Sequence, residues 1–591
     1  MTANPLQVVI NHLQSLARLD YLAQWQVKST DQPAALSGEP LYLRWPRAET
    51  RQFRQRITLP QHWQGLSLAG ASLRLHLHWW AATATVWRNG EVIAEGDLFD
   101  RELEWQLPNQ KPFDLDIALT SPAHDDGAVT ATWLEINHPQ LDLHLFAAEL
   151  AALQALLPTE AAAMKPELQA ILADHSPDFS HEAIFWQRLM ALRSRLLVYS
   201  EPIKQSEVHL LGNAHIDVAW LWPLAETQDV VQRTFRSVLS LNNRFPALTF
   251  NQSTMLSYAW VRDHHPDLWP AIQAAVQAGW WEPIGGMWVE ADTNLPNGES
   301  LIRQMLYGQH WLRQHLGQIS RVAWLPDSFG FSWQLPQLLR QGGFEVFVTQ
   351  KLTWNDTAPF PHRVFWWQGA DGSQILTYFC NGIGQGIDPL AMIQDLQQIS
   401  QETQIPRSLW LYGVGDHGGG PTAAMLERAE RLAASPLFPK LCHSTAEHFF
   451  ADCKLKSSPD PKPADSTASD AVPPEDLPVW HDELYLEFHR GTYTSRADQK
   501  RQNRELECQL RQTEILASLA WWYDATRYPN FKPAWAAVLT NQFHDICLAL
   551  QFRRFLRLLI SFGQRHDHSA SPPKALRVIF SILILGQLAN C

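Results

Sequence analysis

The stretch LLGNAHIDVAW, Leu210–Trp220, decides how the centre of this chain is interpreted. Its first half is short and apolar, which is typical of a buried strand. The apolar run ends in two polar residues, His215 and Asp217. Residues two apart on an extended chain face the same side. The pair therefore predicts either two ligands of one metal ion or two ordinary polar residues where a strand ends.

Residues 205–450, which surround this stretch, alternate short apolar runs with helical stretches. The runs are VHLLGNAH, RVAWLPD, FEVFVTQ, QILTYF and LWLYGVGD. This alternation predicts a parallel sheet or barrel with covering helices within a multidomain α/β protein. Such folds place their chemistry at the carboxyl ends of the strands, where several of these runs reach a polar residue.

The rest of the chain divides by composition. Residues 1–200 predict an N-terminal β-sandwich with flanking helices, the first of them spanning residues 1–30. The dipeptide Asn89-Gly90, between two strand-like runs, predicts a hairpin. Alternating leucines predict one buried strand face: Leu73, Leu75 and Leu77. Residues 454–479, rich in Pro, Ser and Asp, predict a flexible linker or loop.

Residues 480–547 predict a helical bundle, in which four leucines fall near one apolar helical face: Leu506, Leu510, Leu516 and Leu519. Residues 548–591 form an aberrant tail of basic and apolar residues. Either an amphipathic tail or a shifted reading frame accounts for that tail, and we favour the shifted frame.

The overall composition narrows the classes of function. A net charge of −13 over 591 residues, without a long basic stripe before the tail, argues against a nucleic-acid partner. We find no signal peptide and no run long enough to span a bilayer, so we expect a cytoplasmic protein without a membrane partner. The 27 tryptophans suit either sugar stacking or ordinary cores.

Two further residues are candidate ligands. Asp327 follows the apolar run Val322–Leu325 in AWLPDSFGF and is either a strand-end ligand or a helix N-cap. His544 ends a helical stretch in NQFHDI, where a lone histidine usually packs or caps. Glu290 and Asp292 lie in the stretch EPIGGMWVEADTNLPNGES.

Asp416 lies on the glycine-rich turn of LYGVGDHGGGPT. This turn lacks the GxxxxGK[ST] pattern of a phosphate loop, so we interpret Asp416 as a polar contact in a pocket.

Five stretches in this order, GNAHIDVAWLW, GGMWVEADTNLPNGESLIRQ, WLPDSFGFSWQLPQLL, ELYLEFHRGTYTSRADQKRQNR and NQFHDI, closely resemble glycoside hydrolase family 38. The nearest branch is the cytosolic and vacuolar type of α-mannosidase, and the resemblance covers roughly residues 1–546. It implies a seven-stranded β/α barrel as the catalytic domain. It also implies a zinc ion, with cobalt as the alternative, held by four residues: His215, Asp217, Asp327 and His544.

The resemblance further implies a retaining exo-α-mannosidase that removes terminal α-D-mannose from oligosaccharides through a covalent glycosyl-aspartate. Asp327 would be the nucleophile. A retaining mechanism needs a second carboxyl group about 5–5.5 Å away. We favour Glu487 as that acid/base, with Glu483 and Asp292 as alternatives. Three residues are expected to contact substrate: Asp292, Trp220 and Asp416.

After Ile546 the sequence departs from the family, because the expected Pro-Gly turn and the C-terminal β-domains are missing. We therefore expect this chain to be a poorly active or inactive piece of an α-mannosidase. Two other functions stay open: a zinc hydrolase with a metal-bound water as nucleophile, and a non-catalytic carbohydrate-binding protein. Linkage preference and homo-oligomer formation also stay open.

Overall fold

The computed structural model describes residues 5–38, 40–98, 101–123, 125–174, 182–452, 477–524 and 528–547. The predicted tail, and the predicted linker except for its last three residues, lie outside this described part. Among the helices that are described, none combines the length and apolar character needed to cross a membrane.

The described part of residues 5–204 contains fourteen strands and six α-helices. The strands are β1 Arg18–Asp20, β2 Gln26–Val27, β3 Gln32–Pro33, β4 Leu36–Ser37, β5 Tyr42–Trp45, β6 Thr50–Ile57, β7 His62–Trp63, β8 Leu66–Ser67, β9 Ser72–Trp80, β10 Thr83–Arg88, β11 Glu91–Gly96, β12 Glu102–Gln106, β13 Phe113–Thr120 and β14 Gly127–Asn137. The helices are α1 Pro5–Leu16, α2 Leu143–Leu156, α3 Pro158–Ala163, α4 Lys165–Asp174, α5 Glu182–Leu196 and α6 Ser200–Lys204.

Most of these strands form two six-stranded antiparallel sheets that enclose one core. One sheet runs β12-β9-β14-β5-β4 with β1 beside β14, and the other runs β11-β10-β13-β6-β2-β3. The alternating leucines of β9 are buried as predicted, and Leu75 joins Ile117 of the opposite sheet in one hydrophobic cluster. The hairpin is also confirmed, because Asn89 and Gly90 alone connect β10 to β11, both with positive φ.

The predicted helix over residues 1–30 was wrong beyond its first half. Helix α1 ends at Leu16, and the following residues form β1, in which Leu19 pairs with Leu134. Leu19 and Tyr21 are buried in the core between the sheets. Packing in the sandwich therefore overrides the local helical pattern.

Residues 205–452 and 477–480 alternate strands with helices. The strands are β15 Glu207–Asn213, β16 Phe250–Gln252, β17 Trp281–Pro283, β18 Val322–Trp324, β19 Val346–Thr349, β20 Val364–Gln368, β21 Gln374–Phe379, β22 Arg407–Tyr412, β23 Lys440–His443 and β24 Val479–Trp480. The helices are α7 Leu224–Arg244, α8 Met255–His264, α9 Trp269–Gln277, α10 Gly298–Leu316, α11 Leu335–Gln341, α12 Pro389–Thr403, α13 Ala423–Ala433 and α14 Ala446–Asp452.

These strands form two further five-stranded sheets. In the first, β17-β16-β15-β22 are parallel and β23 also pairs with β15. In the second, β18, β19 and β21 are parallel, whereas β20 runs antiparallel to β21. The two sheets are therefore mainly parallel, and together with the N-terminal sheets they make a mixed α/β, multidomain fold.

The last described segment is helical, with α15 Ala497–Asp524, α16 Lys532–Asn541 and α17 His544–Cys547. Helix α15 contacts α16, which also contacts α10 of the preceding part. The apolar face predicted for α15 is not fully covered, because Leu516 and Leu519 are 49% and 61% exposed.

Candidate metal centre

The candidate site lies where several parallel strands end. His215 and Asp217 follow β15, and Asp327 follows β18 by three residues. His544 begins α17, which approaches from the other end of the chain. An isolated bridge between Ala291 and Phe543 joins this helix to the segment after β17. Backbone pairing therefore brings residues from three distant stretches to one point.

Three of the four predicted ligands form one buried group. The donor atoms of His215, Asp217 and His544 all lie within 4.8 Å of one another. His215 Nε2 is 3.0 Å from Asp217 Oδ1, and His544 Nε2 is 3.7 Å from the same oxygen. Two imidazoles and a carboxylate at such distances match the donor types that zinc takes in proteins.

The fourth predicted ligand, Asp327, lies at the border of this group. Its Oδ2 is 3.8 Å from His544 Nε2, while its Oδ1 accepts a 2.7 Å hydrogen bond from Lys351 Nζ. Lys351 is only 2% exposed, and its ammonium lies 3.8 Å from the centroid of the Trp354 ring. Asp327 therefore faces the histidine with one oxygen and is held by a buried lysine with the other.

Glu290 orients both imidazoles. Its backbone carbonyl accepts a hydrogen bond from His544 Nδ1 at 3.0 Å, since a carbonyl oxygen can only accept. Its carboxylate oxygen Oε2 lies 3.4 Å from His215 Nδ1. With Nδ1 of each ring directed at Glu290, the Nε2 atoms are turned towards Asp217. A partner on the far ring nitrogen is the usual way in which proteins fix metal-binding histidines.

The charges around these rings favour a cation. Burial disfavours protonation of His544, but the neighbouring carboxylates of Asp217, Asp545 and Asp327 outweigh burial and raise its pKa to about 9. For His215 the neighbouring Glu290 and Asp217 likewise outweigh burial, and its pKa is raised well above the ordinary value. A site that stabilises positive charge on its own histidines also attracts a metal ion.

The residues present fit a zinc ion. The His544 Nε2 atom is buried and makes no hydrogen bond, although three carboxylates surround it. A lone buried ring nitrogen of this kind costs free energy unless a proton partner or a metal occupies it. Two imidazole nitrogens with carboxylate oxygens also satisfy cobalt, which prefers the same donor types.

Asp416 is brought beside Asp217 by its glycine-rich turn. Gly413 has φ 143°, and a Cβ at this position would lie 2.1 Å from the Asn213 carbonyl oxygen, so only glycine lets the turn pass the end of β15. The Asp416 carbonyl then accepts a 2.9 Å hydrogen bond from the amide of Asp217. Asp416 itself has φ 61°, a strained value for a residue other than glycine and one that is common at functional sites.

The Asp416 side chain reaches solvent, yet the protein around it removes enough water to raise its pKa. Burial is the main cause, the charge of Asp217 adds to it, and the pKa of Asp416 becomes about 6. A carboxyl group with such a pKa is protonated in roughly a tenth of molecules at pH 7, far more than an ordinary aspartate, and can donate that proton.

The other predicted site residues lie in different surroundings. Asp292 is fully buried; its Oδ2 accepts from the Leu295 amide, and burial raises its pKa to about 6. Trp220 is partly exposed beside Trp222, with the rings in edge contact.

Glu487, the predicted acid/base, holds a loop. Its two oxygens accept backbone hydrogen bonds from Asp356, Thr357 and Ala358. These bonds, led by the one from the Thr357 hydroxyl, lower its pKa to about 2. The surroundings of Glu487 therefore favour the anion, whereas a proton donor needs the reverse.

Lys351 was missed by sequence reasoning. It comes two residues after β19, in FEVFVTQK, and so obeys the same strand-end rule that pointed to Asp327. Asp545 was missed as well; it lies beside His544 inside the motif NQFHDI, and burial raises its pKa well above the usual value.

Fold and site together define an α/β protein with a buried histidine–aspartate centre at the carboxyl ends of parallel strands. The sequence matches the glycosyl hydrolases family 38 N-terminal domain over residues 205–483 and the alpha mannosidase middle domain over residues 487–549. The chain belongs to glycosyl hydrolase family 38.

The chain is also similar in sequence to individual alpha-mannosidases. The chain is 32% identical over 524 residues to alpha-mannosidase 2C1 of Homo sapiens, which covers 84% of this chain and 48% of that protein. It is 38% identical over 366 residues to the alpha-mannosidase of Saccharomyces cerevisiae, covering 59% of this chain and 32% of that protein. The chain thus spans about half the length of the human relative and about a third of the yeast one.

A solved structure shares the fold. The alpha-mannosidase from Enterococcus faecalis V583 superposes with a TM-score of 0.51 at 20% sequence identity. The match covers 61% of this chain and 41% of that one.

Proposed function

We propose that this chain carries the catalytic part of a retaining exo-α-mannosidase that removes terminal α-D-mannose from oligosaccharides. The observation that carries this proposal is the position of Asp327, a partly exposed carboxylate beside the buried group of His215, Asp217 and His544. Family membership supplies the substrate class, since the relatives are named alpha-mannosidases.

His215, Asp217, Asp327 and His544 would hold the metal ion, which we propose to be zinc with cobalt as the alternative. A zinc ion held there would supply Lewis-acid polarisation of sugar oxygens. Glu290 holds both imidazole rings in the orientation that metal binding through their Nε2 atoms needs.

Asp327 is suited to attack the anomeric carbon. The 2.7 Å hydrogen bond from Lys351 Nζ holds this carboxylate in place. Because that bond uses Oδ1, the second oxygen of Asp327 is the one directed towards the histidines. The attack would form a glycosyl ester on Asp327, which water then cleaves.

For the proton donor we propose Asp416 instead of Glu487. The Asp416 side chain reaches solvent, and its charge interacts with those of Asp217 and Asp327. Glu487 accepts hydrogen bonds from a loop with both oxygens, and Asp292 is fully enclosed. Asp416 would protonate the leaving oxygen and later take a proton from the attacking water.

The larger architecture is part of the same proposal. We propose that the two mainly parallel sheets are the arcs of the family's seven-stranded β/α barrel. The domain boundaries inferred from composition, the cytoplasmic location and the α-mannoside oligosaccharide partner are retained as proposals as well.

The test is hydrolysis of a nitrophenyl α-D-mannoside by the purified chain, before and after chelation and after return of zinc. We expect weak turnover that disappears with chelator and returns with zinc. A fluorinated mannosyl fluoride should leave a sugar adduct on the peptide that contains Asp327. Zinc-loaded, folded protein with neither turnover nor adduct would overturn the proposal, and turnover without an adduct would favour a zinc hydrolase with a water nucleophile.

A further inference from the structure

The indole ring of Trp354 lies beside the candidate nucleophile, with one lysine side chain between them. Lys351 Nζ donates a 2.7 Å hydrogen bond to Asp327 Oδ1 and lies 3.8 Å from the centroid of the Trp354 ring. The same ammonium lies 5.1 Å from the ring centroid of Phe329, which comes two residues after Asp327. These contacts place Trp354 at the edge of the candidate site.

The backbone that carries Trp354 is fastened to a distant segment of the chain. Trp354 ends a short 3₁₀ helix, Lys351–Trp354, and the side chain of the next residue, Asn355, makes the connection. Asn355 Nδ2 donates to the Tyr485 carbonyl at 2.9 Å, and Asn355 Oδ1 accepts from the Glu487 amide at 2.9 Å. A ring that is fixed in this way before a ligand arrives loses little freedom when the ligand binds.

Much of the Trp354 side chain nevertheless reaches solvent. Lys351 lies over one face of the indole. The rings of Phe488 and His489 lie 6.4 and 6.0 Å away, at 83° and 57° to the indole, so neither is stacked parallel to it. Trp354 is 46% exposed and Phe488 39%, whereas the three buried donor residues of the metal centre are at most 4% exposed. The two aromatic residues therefore lie at the border between the site and solvent.

We propose that Trp354 is a sugar-binding residue that stacks on a ring of the oligosaccharide beyond the mannose that is cleaved. This inference rests on the proposed function, in which the terminal mannose reaches the buried histidine–aspartate group. The remainder of the oligosaccharide must then extend from that group towards solvent, where Trp354 offers a fixed aromatic face next to Asp327. The flat apolar face of an indole suits the apolar face of a pyranose ring. Packing on Lys351 needs only one face of the indole and leaves the exposure of the ring unexplained.

The experiment compares α-linked mannobiose with α-mannosyl fluoride, whose leaving group has no ring, as substrates of the parent chain, Trp354→Ala and Trp354→Phe. We expect Trp354→Ala to lower kcat/KM about tenfold more for mannobiose than for the fluoride, because one aromatic contact to the second sugar is lost. A disturbance of Asp327 through Lys351 would lower both rates and cancel in this comparison. Trp354→Phe retains an aromatic ring and should recover part of the mannobiose rate.

Trp522→Ala is the matched control. Trp522 is also an exposed tryptophan, but it lies near the carboxyl end of α15, and its loss should change neither rate. Equal losses on the two substrates in Trp354→Ala, or no loss on either, would overturn the inference, since a ring that only supports Lys351 does not distinguish leaving groups.

Failure of the proposed function looks different, because the parent chain would then hydrolyse neither substrate. In that case, calorimetric titration of the parent and Trp354→Ala with mannobiose and with methyl α-mannoside decides the matter. Selective weakening of mannobiose binding in Trp354→Ala supports the sugar-binding role. Equal mannobiose binding by the two proteins, or a parent chain without preference for mannobiose over methyl α-mannoside, refutes it.

Discussion

The imidazole rings of His215 and His544 lie nearly parallel, with centroids 5.8 Å apart and 17° between their planes. One ring follows a central strand and the other begins the last described helix. Glu290 contacts both, with its carboxylate towards His215 Nδ1 and its carbonyl at His544 Nδ1. A single buried residue therefore sets the orientation of two rings that are distant in the sequence.

Replacement of Glu290 by glutamine should weaken zinc binding about 10–100-fold, the usual effect of losing a group that orients a ligand. Glutamine lacks the negative charge that lies 3.4 Å from His215 Nδ1, while the backbone contact to His544 remains. His544→Ala should weaken binding further, because a ligand itself is lost. Competition with a chromophoric chelator measures both affinities without any substrate.

Two controls accompany this titration. His448→Ala removes a histidine whose side chain is 64% exposed and should leave the affinity unchanged. Cys442→Ser alters a second group of potential donors, Glu207, His209 and Cys442. Glu207 there already pairs with Lys440 and Arg407, so we expect no zinc binding at that group. Parent-like affinity in Glu290→Gln and His544→Ala would refute the metal centre.

Removal of the Lys351 ammonium should impair turnover. Lys351→Met leaves Asp327 without its 2.7 Å partner, and we expect kcat for a nitrophenyl α-mannoside to fall about 10–100-fold. Asp327→Asn removes the proposed nucleophile and should lower kcat by about 10³-fold or more. Lys440→Met, which breaks the more exposed pair with Glu207, is the matched control and should retain its rate. A Lys351→Met protein with parent-like kcat would show that the ion pair has no part in the reaction.

How far the sequence predicts this site depends on how each residue is positioned. His215, Asp217 and Asp327 directly follow apolar strands, so the rule that chemistry lies at strand ends identifies them as candidates. His544 follows no strand; only the family resemblance connects it to them. Lys351 obeys the strand-end rule and could have been predicted, but a lysine after a strand is usually solvated.

Glu487 shows what a local sequence pattern cannot predict. Its surroundings depend on the loop at 356–358, about 130 residues earlier, which no local pattern reveals. The same holds for the fold: the apolar runs correctly predict β15 and β22, whereas the pairing of β15 with β23 depends on tertiary packing across the sheet.

Stability should fall in mild acid because of His138. Burial lowers the pKa of this histidine to about 4, whereas in the unfolded chain it keeps the ordinary histidine pKa of 6.5. Above pH 6.5 both states are neutral; between pH 6.5 and 4 the unfolded state binds the proton first, so stability is lost as the pH falls. The difference of about 2.5 units corresponds to about 3 kcal/mol at most.

The measurement is the midpoint of urea unfolding as a function of pH. His138→Phe removes this titration, and the variant should lose less stability than the parent between neutral pH and pH 4. His78, whose pKa is also lowered to about 4, stays in both proteins and cancels in the comparison. If the urea midpoint of His138→Phe depended on pH as that of the parent does, His138 would not be the cause of the stability loss in acid.

The proposed roles of Asp416 and Glu487 can be distinguished by varying the leaving group of the substrate. A proton donor matters most when the leaving oxygen is a poor leaving group. Asp416→Asn should therefore lower the rate about 10²–10⁴-fold with a methyl or sugar leaving group, and far less with a dinitrophenyl group. Azide should restore part of the rate for the dinitrophenyl substrate, because a small anion can attack the glycosyl ester without general-base help.

Glu487→Gln should behave differently, because Glu487 accepts hydrogen bonds from Asp356, Thr357 and Ala358 and the amide cannot accept all of them. We expect a lower unfolding temperature and rates reduced by the same factor for every leaving group, with no rescue by azide. A leaving-group dependence in Glu487→Gln, together with its absence in Asp416→Asn, would return the acid/base role to Glu487. The two variants thus distinguish a group that transfers a proton from one that holds a loop in place.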